Sequence, residues 1–180
     1  MRIVGGFLKG RRFSPPASFR ARPTTDMAKE SIFNVLSNFV DFEEITSIDL
    51  FSGTGSISYE IASRGCKNIV SVEKDFHHYK FIIKCIEELK LQKIIKPIRQ
   101  DVFSFIKNSG LSDFDLIFAD PPFNLHNLNE LPKLIMESEL LKNNGILILE
   151  HGKEHDYSKA PYFWQIRHYG KICFSLFEKK

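Results

Sequence analysis

The chain has 180 residues, 43% of them hydrophobic and 17 of them Phe, enough for one sizeable core, so a single domain over residues 1–180 is expected. It has no apolar run of about eighteen residues, no hydrophobic stretch of the signal-peptide kind near its start, and three cysteines (Cys66, Cys85, Cys173) without C-x-x-C spacing. A membrane-spanning protein, a disulfide framework and a zinc site are therefore not expected, and the composition predicts a soluble, cytoplasmic monomer. The net charge of +3 is unevenly divided: residues 1–30 hold seven Lys and Arg against Asp26 and Glu30, leaving 18 against 20 in the remainder.

Residues 1–26 read as a basic arm, extended or hairpin-like, because Gly5-Gly6, Gly10, Pro15-Pro16 and Pro23 forbid a long helix. Arg2, Lys9, Arg11, Arg12, Arg20 and Arg22 interleave with Phe7, Phe13 and Phe19, a pairing that gives single-stranded nucleic acid charges for phosphates and rings for bases. Thr24-Thr25-Asp26 offers an N-cap to a helix over 27–39 with Ile32, Phe33, Leu36 and Phe39 on one face.

The apolar run from Ile45 to Leu50 predicts the first strand, and Asp49-Leu50-Phe51-Ser52-Gly53-Thr54-Gly55 then turns into a helical pattern that ends at Arg64-Gly65. Glycines allow the tight turn and close backbone approach, and the following helix offers free N–H groups. A dinucleotide site wants a third glycine, but position 58 is Ser. The second strand, Asn68 to Val72, ends in Glu73, placed to accept ribose hydroxyls; the third, Ile94 to Arg99, is followed by Asp101-Val102, placed to meet an adenine amine. Acids after three successive strands, without a phosphate cradle, fit S-adenosylmethionine better than NAD. Helices over 76–91 and 103–107 separate these strands from the next.

Strand four, Phe114 to Ala119, closes on Asp120-Pro121-Pro122-Phe123. The prolines stop the ladder and free backbone carbonyls, the acid and carbonyls accept the hydrogens of an exocyclic amine, and the aromatic stacks on a base. A helix over 128–141 leads to a fifth strand, Gly145 to Glu150; runs at 162–168 and 171–177, joined by Tyr169-Gly170, then form an antiparallel hairpin. Strands broken by helices imply a mostly parallel α/β sheet covered on both faces.

With Arg2-Ile3-Val4-Gly5-Gly6, Gly10-Arg11-Arg12, Arg22-Pro23-Thr24-Thr25-Asp26, the glycine turn, Glu73, Asp120 to Phe123 and Glu150-His151 in place, the chain resembles the RsmD family end to end. These are class I, Rossmann-like methyltransferases that modify guanine N2 in small-subunit (16S) ribosomal RNA. Met27 departs from the pattern, standing where a basic residue is frequent. The resemblance implies a seven-stranded sheet with the C-terminal hairpin at its edge, S-adenosylmethionine as cofactor and 16S rRNA as partner. It further implies that Asp49, Phe51, Gly53, Thr54 and Gly55 hold the methionine portion, Glu73 the ribose, and Asp101 with Val102 the adenine, while Asp120, Pro121, Pro122 and Phe123 form the catalytic motif. A DNA adenine or tRNA methyltransferase, a nucleotide-dependent dehydrogenase and a non-catalytic RNA-binding module are the competing readings. No metal site is expected from the histidines, His151 reads as packing or positioning, and Lys74 reads as solvated.

Overall fold

The computed structural model describes residues 1–17, 19, 25–122 and 125–180. Its first segment folds back on itself: Arg2 bridges Arg12 antiparallel, Ile3 N–H donates to the Arg11 carbonyl and Gly10 N–H to that of Ile3. This hairpin is part of the core and not a solvated tail, since Ile3, Val4 and Phe13 are buried and Phe13 meets Tyr59 edge-on at 5.0 Å. Phe7 is left exposed. Gly6 explains the Gly5-Gly6 pair: its φ is +70°, and a Cβ there would overlap the Ser63 carbonyl that accepts from Phe7 N–H.

Helix α1 (Asp26–Leu36) is capped by Thr25, whose hydroxyl accepts from Ala28 N–H. It is shorter than its apolar pattern because the Ser37 hydroxyl donates to the Phe33 carbonyl and the chain tightens through Leu36. Strand β1 (Thr46–Leu50), α2 (Ser56–Ser63), β2 (Asn68–Glu73), α3 (Phe76–Glu88), β3 (Ile95–Arg99), α4 (Val102–Asn108) and β4 (Phe114–Ala119) follow in the expected alternation. Helix α3 stops before Leu91, with Lys90 in the left-handed region at φ 58°.

The expected helix over 128–141 is instead a 3-10 turn, Leu128–Glu130, and a six-residue α5, Leu131–Met136. Pro132 supplies no N–H and so suits a first turn only, which fixes where the α-helix begins. Residues 137–140 turn the chain, and Leu141 opens β5, which runs over Leu141–Gly152 and pairs with β4 from Phe114↔Leu141 onward through a register shift. The hairpin is present as β6 (Phe163–Tyr169) and β7 (Ile172–Glu178).

The seven strands lie in the order β3-β2-β1-β4-β5-β7-β6, with β1 to β5 parallel and β7 antiparallel to both neighbours. Two cores cover its faces: one joins the N-terminal hairpin, α1, α2 and α3 to Leu116, Phe118, Ile148 and Phe174; the other joins α4 and α5 to Ile48, Leu50, Ile117 and Leu149. The strand order reverses direction between β1 and β4, so the carboxyl ends of the parallel strands open a crevice there, the usual place for a ligand in such sheets.

Candidate functional site

That crevice is a cavity of about 1250 Å³, large enough for a nucleoside cofactor and a base together. Its lining brings together most of the residues singled out from the sequence: Asp49, Phe51, Gly53, Thr54, Glu73, Asp101, Val102, Asp120, Pro121 and Pro122. Gly55 stands behind the wall as the left-handed N-cap of α2 at φ 78°, where a Cβ would overlap the Tyr59 hydroxyl. Phe51 is also left-handed, at φ 60°, a strained state for a side-chain-bearing residue that the turn imposes at the cavity wall.

The acids at the ends of the first three strands are held by backbone and side-chain donors. Glu73 accepts from Gly53 N–H at 2.8 Å on one oxygen and from Asp75 N–H at 2.7 Å on the other, so the β2 acid and the glycine turn fix each other. Each oxygen keeps acceptor capacity for a hydroxyl. Asp101 caps α4, accepting from Phe103 and Ser104 N–H, and its second oxygen lies 3.5 Å from Lys74 Nζ. Lys74 is solvated as expected, its exposed side chain meeting this oxygen at the cavity rim.

Asp49 is buried, and its Oδ2 accepts from both the N–H and the hydroxyl of Ser58, the residue that replaces a third glycine. Its Oδ1 meets no hydrogen-bond partner among the described residues. Burial pushes this carboxyl up to about 7, so the site offers an unsatisfied acceptor that a ligand's ammonium or amine would complete. The donor set fits S-adenosylmethionine: an acid for the amino group, an acid beside the turn for hydroxyls and an acid after β3 for an amine, with no phosphate cradle among the described residues.

At the other end of the cavity Asp120 N–H donates to the Leu50 carbonyl, tying the residue after β4 to β1. The Asp120 carboxyl is held well above the usual carboxylate range by burial first, then by the charges of Glu150 and Asp49. Pro121 is buried and Pro122 exposed at the mouth. Phe123 lies outside the described residues, as do Arg20 and Arg22 of the arm. Lys9, Arg11 and Arg12 are exposed, and Arg2 pairs with Asp26 at 3.3 Å; none of these four lines the cavity.

Three features escaped the sequence reading. Glu150, named in the sequence without a site role, is buried two residues before the end of β5 and lines the same cavity; its signal was available, as one more acid after a hydrophobic run. Ser14, Pro16 and Phe19 bring the arm to the cavity wall, where Phe19 rests on His78 at 4.3 Å and Phe81 at 5.5 Å. Exposed Phe76 carries Lys80, itself on the cavity lining, and Arg99 of β3 over its ring at 4.5 and 5.1 Å, a positive surface that the charge division by segment concealed. His151 is settled as packing: its Nδ1 donates to the Gly152 carbonyl, so Nε2 accepts from the Ser175 hydroxyl, and burial lowers its proton affinity. Among the described residues no cluster of His, Cys, Asp or Glu could hold a metal, and no helix is long and apolar enough to cross a membrane.

Strand order, glycine turn and acid-lined crevice together define a Rossmann-like methyltransferase. The same fold is seen in a Thermus thermophilus 16S rRNA N2 G1207 methyltransferase in complex with AdoMet and guanosine, at TM-score 0.69 and 18% identity, covering 89% of this chain and 45% of that one. A hypothetical protein, also from Thermus thermophilus, superposes at TM-score 0.84 with 27% identity over 99% of both chains. In sequence, the Ribosomal RNA small subunit methyltransferase D of Haemophilus influenzae is 31% identical over 156 residues, covering 86% of this chain and 80% of its own. That of Escherichia coli is 26% identical over 183 residues, covering 100% and 90%. The family described as conserved hypothetical protein 95 matches residues 1–178, and the chain belongs to it, an RsmD-type methyltransferase family.

Proposed function

We propose that this protein methylates the exocyclic 2-amino group of a guanine in small-subunit ribosomal RNA, using S-adenosylmethionine. The observation that carries the reading is the placement of Asp120 and the Pro121-Pro122 strand stop in one cavity with the three acids suited to that cofactor. Relatives named ribosomal RNA small subunit methyltransferase D support rRNA as the substrate class.

S-adenosylmethionine supplies an electrophilic methyl group on a sulfonium. The guanine amine is a weak nucleophile because its lone pair is delocalised into the ring, so positioning does most of the work. Asp120 and the Pro121 carbonyl accept the two amine hydrogens and turn the lone pair toward the methyl. Positive charge growing on the amine nitrogen as it accepts the methyl would lie beside Asp120, Glu150 and Asp49, whose mutual repulsion it would relieve. The same crowding makes Asp120 ready to take the proton that the methylated nitrogen then releases. Exposed Lys9, Arg11 and Arg12 on the hairpin and the cation-flanked Phe76 on α3 offer phosphate and stacking contacts.

Labelled S-adenosylmethionine offered with separate pools of ribosomal RNA, small subunits, tRNA and DNA tests the reading. Label in the small-subunit RNA, recovered after digestion as N2-methylguanosine, is the expected result. Label on adenine, in DNA or in tRNA overturns it.

A further inference from the structure

Glu150 and Asp120 each lie one residue past the last registered pair of β4 and β5. Strands β4 and β5 run parallel with Phe118↔Ile148 and Ala119↔Leu149 in register. Phe118 and Ile148 point into the core on the arm side of the sheet, Ala119 and Leu149 into the other. One step further along each strand, Asp120 and Glu150 return to the arm-side face, on backbones about 4.8 Å apart. Asp49, which registers with Phe118 and is flanked by Ile48 and Leu50 of the opposite core, faces the same way. All three line the cavity, and Asp49 Oδ1 is a buried acceptor without a hydrogen-bond partner among the described residues, so the cavity is built to receive donors.

If Asp49 serves the cofactor's amino group and Asp120 the target amine, the part that Glu150 plays in the reaction is still to be assigned. Guanine presents two neighbouring donors on its Watson–Crick edge, N1–H and the 2-amino group. Adenine presents an unprotonated N1 next to its amine, which a carboxylate repels. We infer that Glu150 is a specificity-determining residue that accepts the N1–H of the target guanine while Asp120 accepts from its 2-amino group. A carboxylate has about four acceptor sites, so Glu150 can hold a protein donor and the base together. Burial at 3% exposure removes competing water, so a hydrogen bond from the base to this carboxylate is not contested by solvent. The crowding of negative charge that raises Asp120 is then relieved by the base's donors as well as by the developing positive charge.

This inference rests on guanine N2 as the methylated atom, and the test separates the two. The target guanine in a substrate RNA is replaced by 2-aminopurine, which keeps the 2-amino group but has no N1–H, and kcat/KM is compared for wild type, Glu150→Ala and Glu150→Gln. Wild type should favour guanine by roughly ten- to hundredfold, the worth of a hydrogen bond to a charged acceptor. Glu150→Ala should bring the ratio near one, and Glu150→Gln, whose amide oxygen still accepts, should restore most of it. S-adenosylmethionine affinity measured on each variant reports whether it is folded. Discrimination that survives in folded Glu150→Ala overturns the inference while leaving guanine N2 in place. Absence of methyl transfer by wild type to the unsubstituted guanine defeats the underlying reading instead.

Discussion

At the β2 end of the cavity Glu73 meets a backbone amide with each oxygen, whereas at the β4 end the buried Asp120 carboxyl faces the negative charges of Glu150 and Asp49. The first arrangement is complete before any ligand arrives, and it fixes the glycine turn as well as the acid. The second is an unfavourable gathering of acids that a ligand with donors or positive charge resolves. The contrast separates Glu73, a cofactor acid that is part of the folded framework, from the Asp120 cluster, whose charges only a ligand resolves.

The largest break in that contrast should come from Asp120→Ala. Loss of a group aimed at developing charge typically lowers turnover about 10²–10³-fold, and removal of the amine acceptor adds to it. Single-turnover transfer of labelled methyl measures this, and turnover within tenfold of wild type would remove Asp120 from the reaction. Asp120→Asn should in addition raise the thermal midpoint of the ligand-free protein, because it deletes a charge that burial and two neighbouring acids oppose. An unchanged or lower midpoint would mean that the acids are not in conflict.

Asp49 sharpens the comparison by pH. Its folded value of about 7 lies above the unfolded value near 3.8, so between these the folded state holds a proton that the unfolded chain has released, and stability falls as pH rises. The decline begins near pH 4, is complete just above pH 7 and is on the order of 4 kcal/mol if Asp49 titrates alone. Urea unfolding between pH 5 and 8 should show this decline in wild type and a flatter profile in Asp49→Asn. Equal slopes would place the unpaired charge elsewhere.

How the halves differ also decides what could be read from the sequence. Asp120-Pro121-Pro122 and the Gly53–Gly55 turn were legible because a strand end, a ladder-breaking proline pair and a turn that needs φ above zero are written in neighbouring residues. Glu150 gains its place beside Asp120 from β4–β5 register, a pairing between segments thirty residues apart that no local pattern encodes. Phe13 and Phe19 looked alike as arm aromatics, yet one is buried against Tyr59 and the other sits on α3, a distinction set by where the hairpin docks. The helix expected over 128–141 failed because its apolar spacing continued past α5 into a turn whose Glu139 and Leu140 carbonyls accept from Asp113 and Phe114 N–H, with Leu141 already in β5.

The smallest effects belong to the surface. Arg11 and Arg12 are exposed and touch neither half of the cavity, so their replacement by Ala should weaken RNA binding without changing the methylated position. Removing one phosphate-binding charge should flatten the plot of log affinity against log salt by about 0.7–0.9. A wild-type slope in the double variant would show that these side chains do not meet phosphates.

Calorimetric titration of S-adenosylmethionine into wild type, Glu73→Ala and Asp120→Ala, side by side, tests the division of the cavity most directly. Glu73→Ala should weaken binding by roughly 2–4 kcal/mol, two hydrogen bonds to a charged acceptor, and lower thermal stability as the Gly53 and Asp75 amides lose their partner. Asp120→Ala should bind within a few-fold of wild type. Equal loss of affinity in both variants, or a loss confined to Asp120→Ala, would contradict a cofactor half and a base half served by different acids.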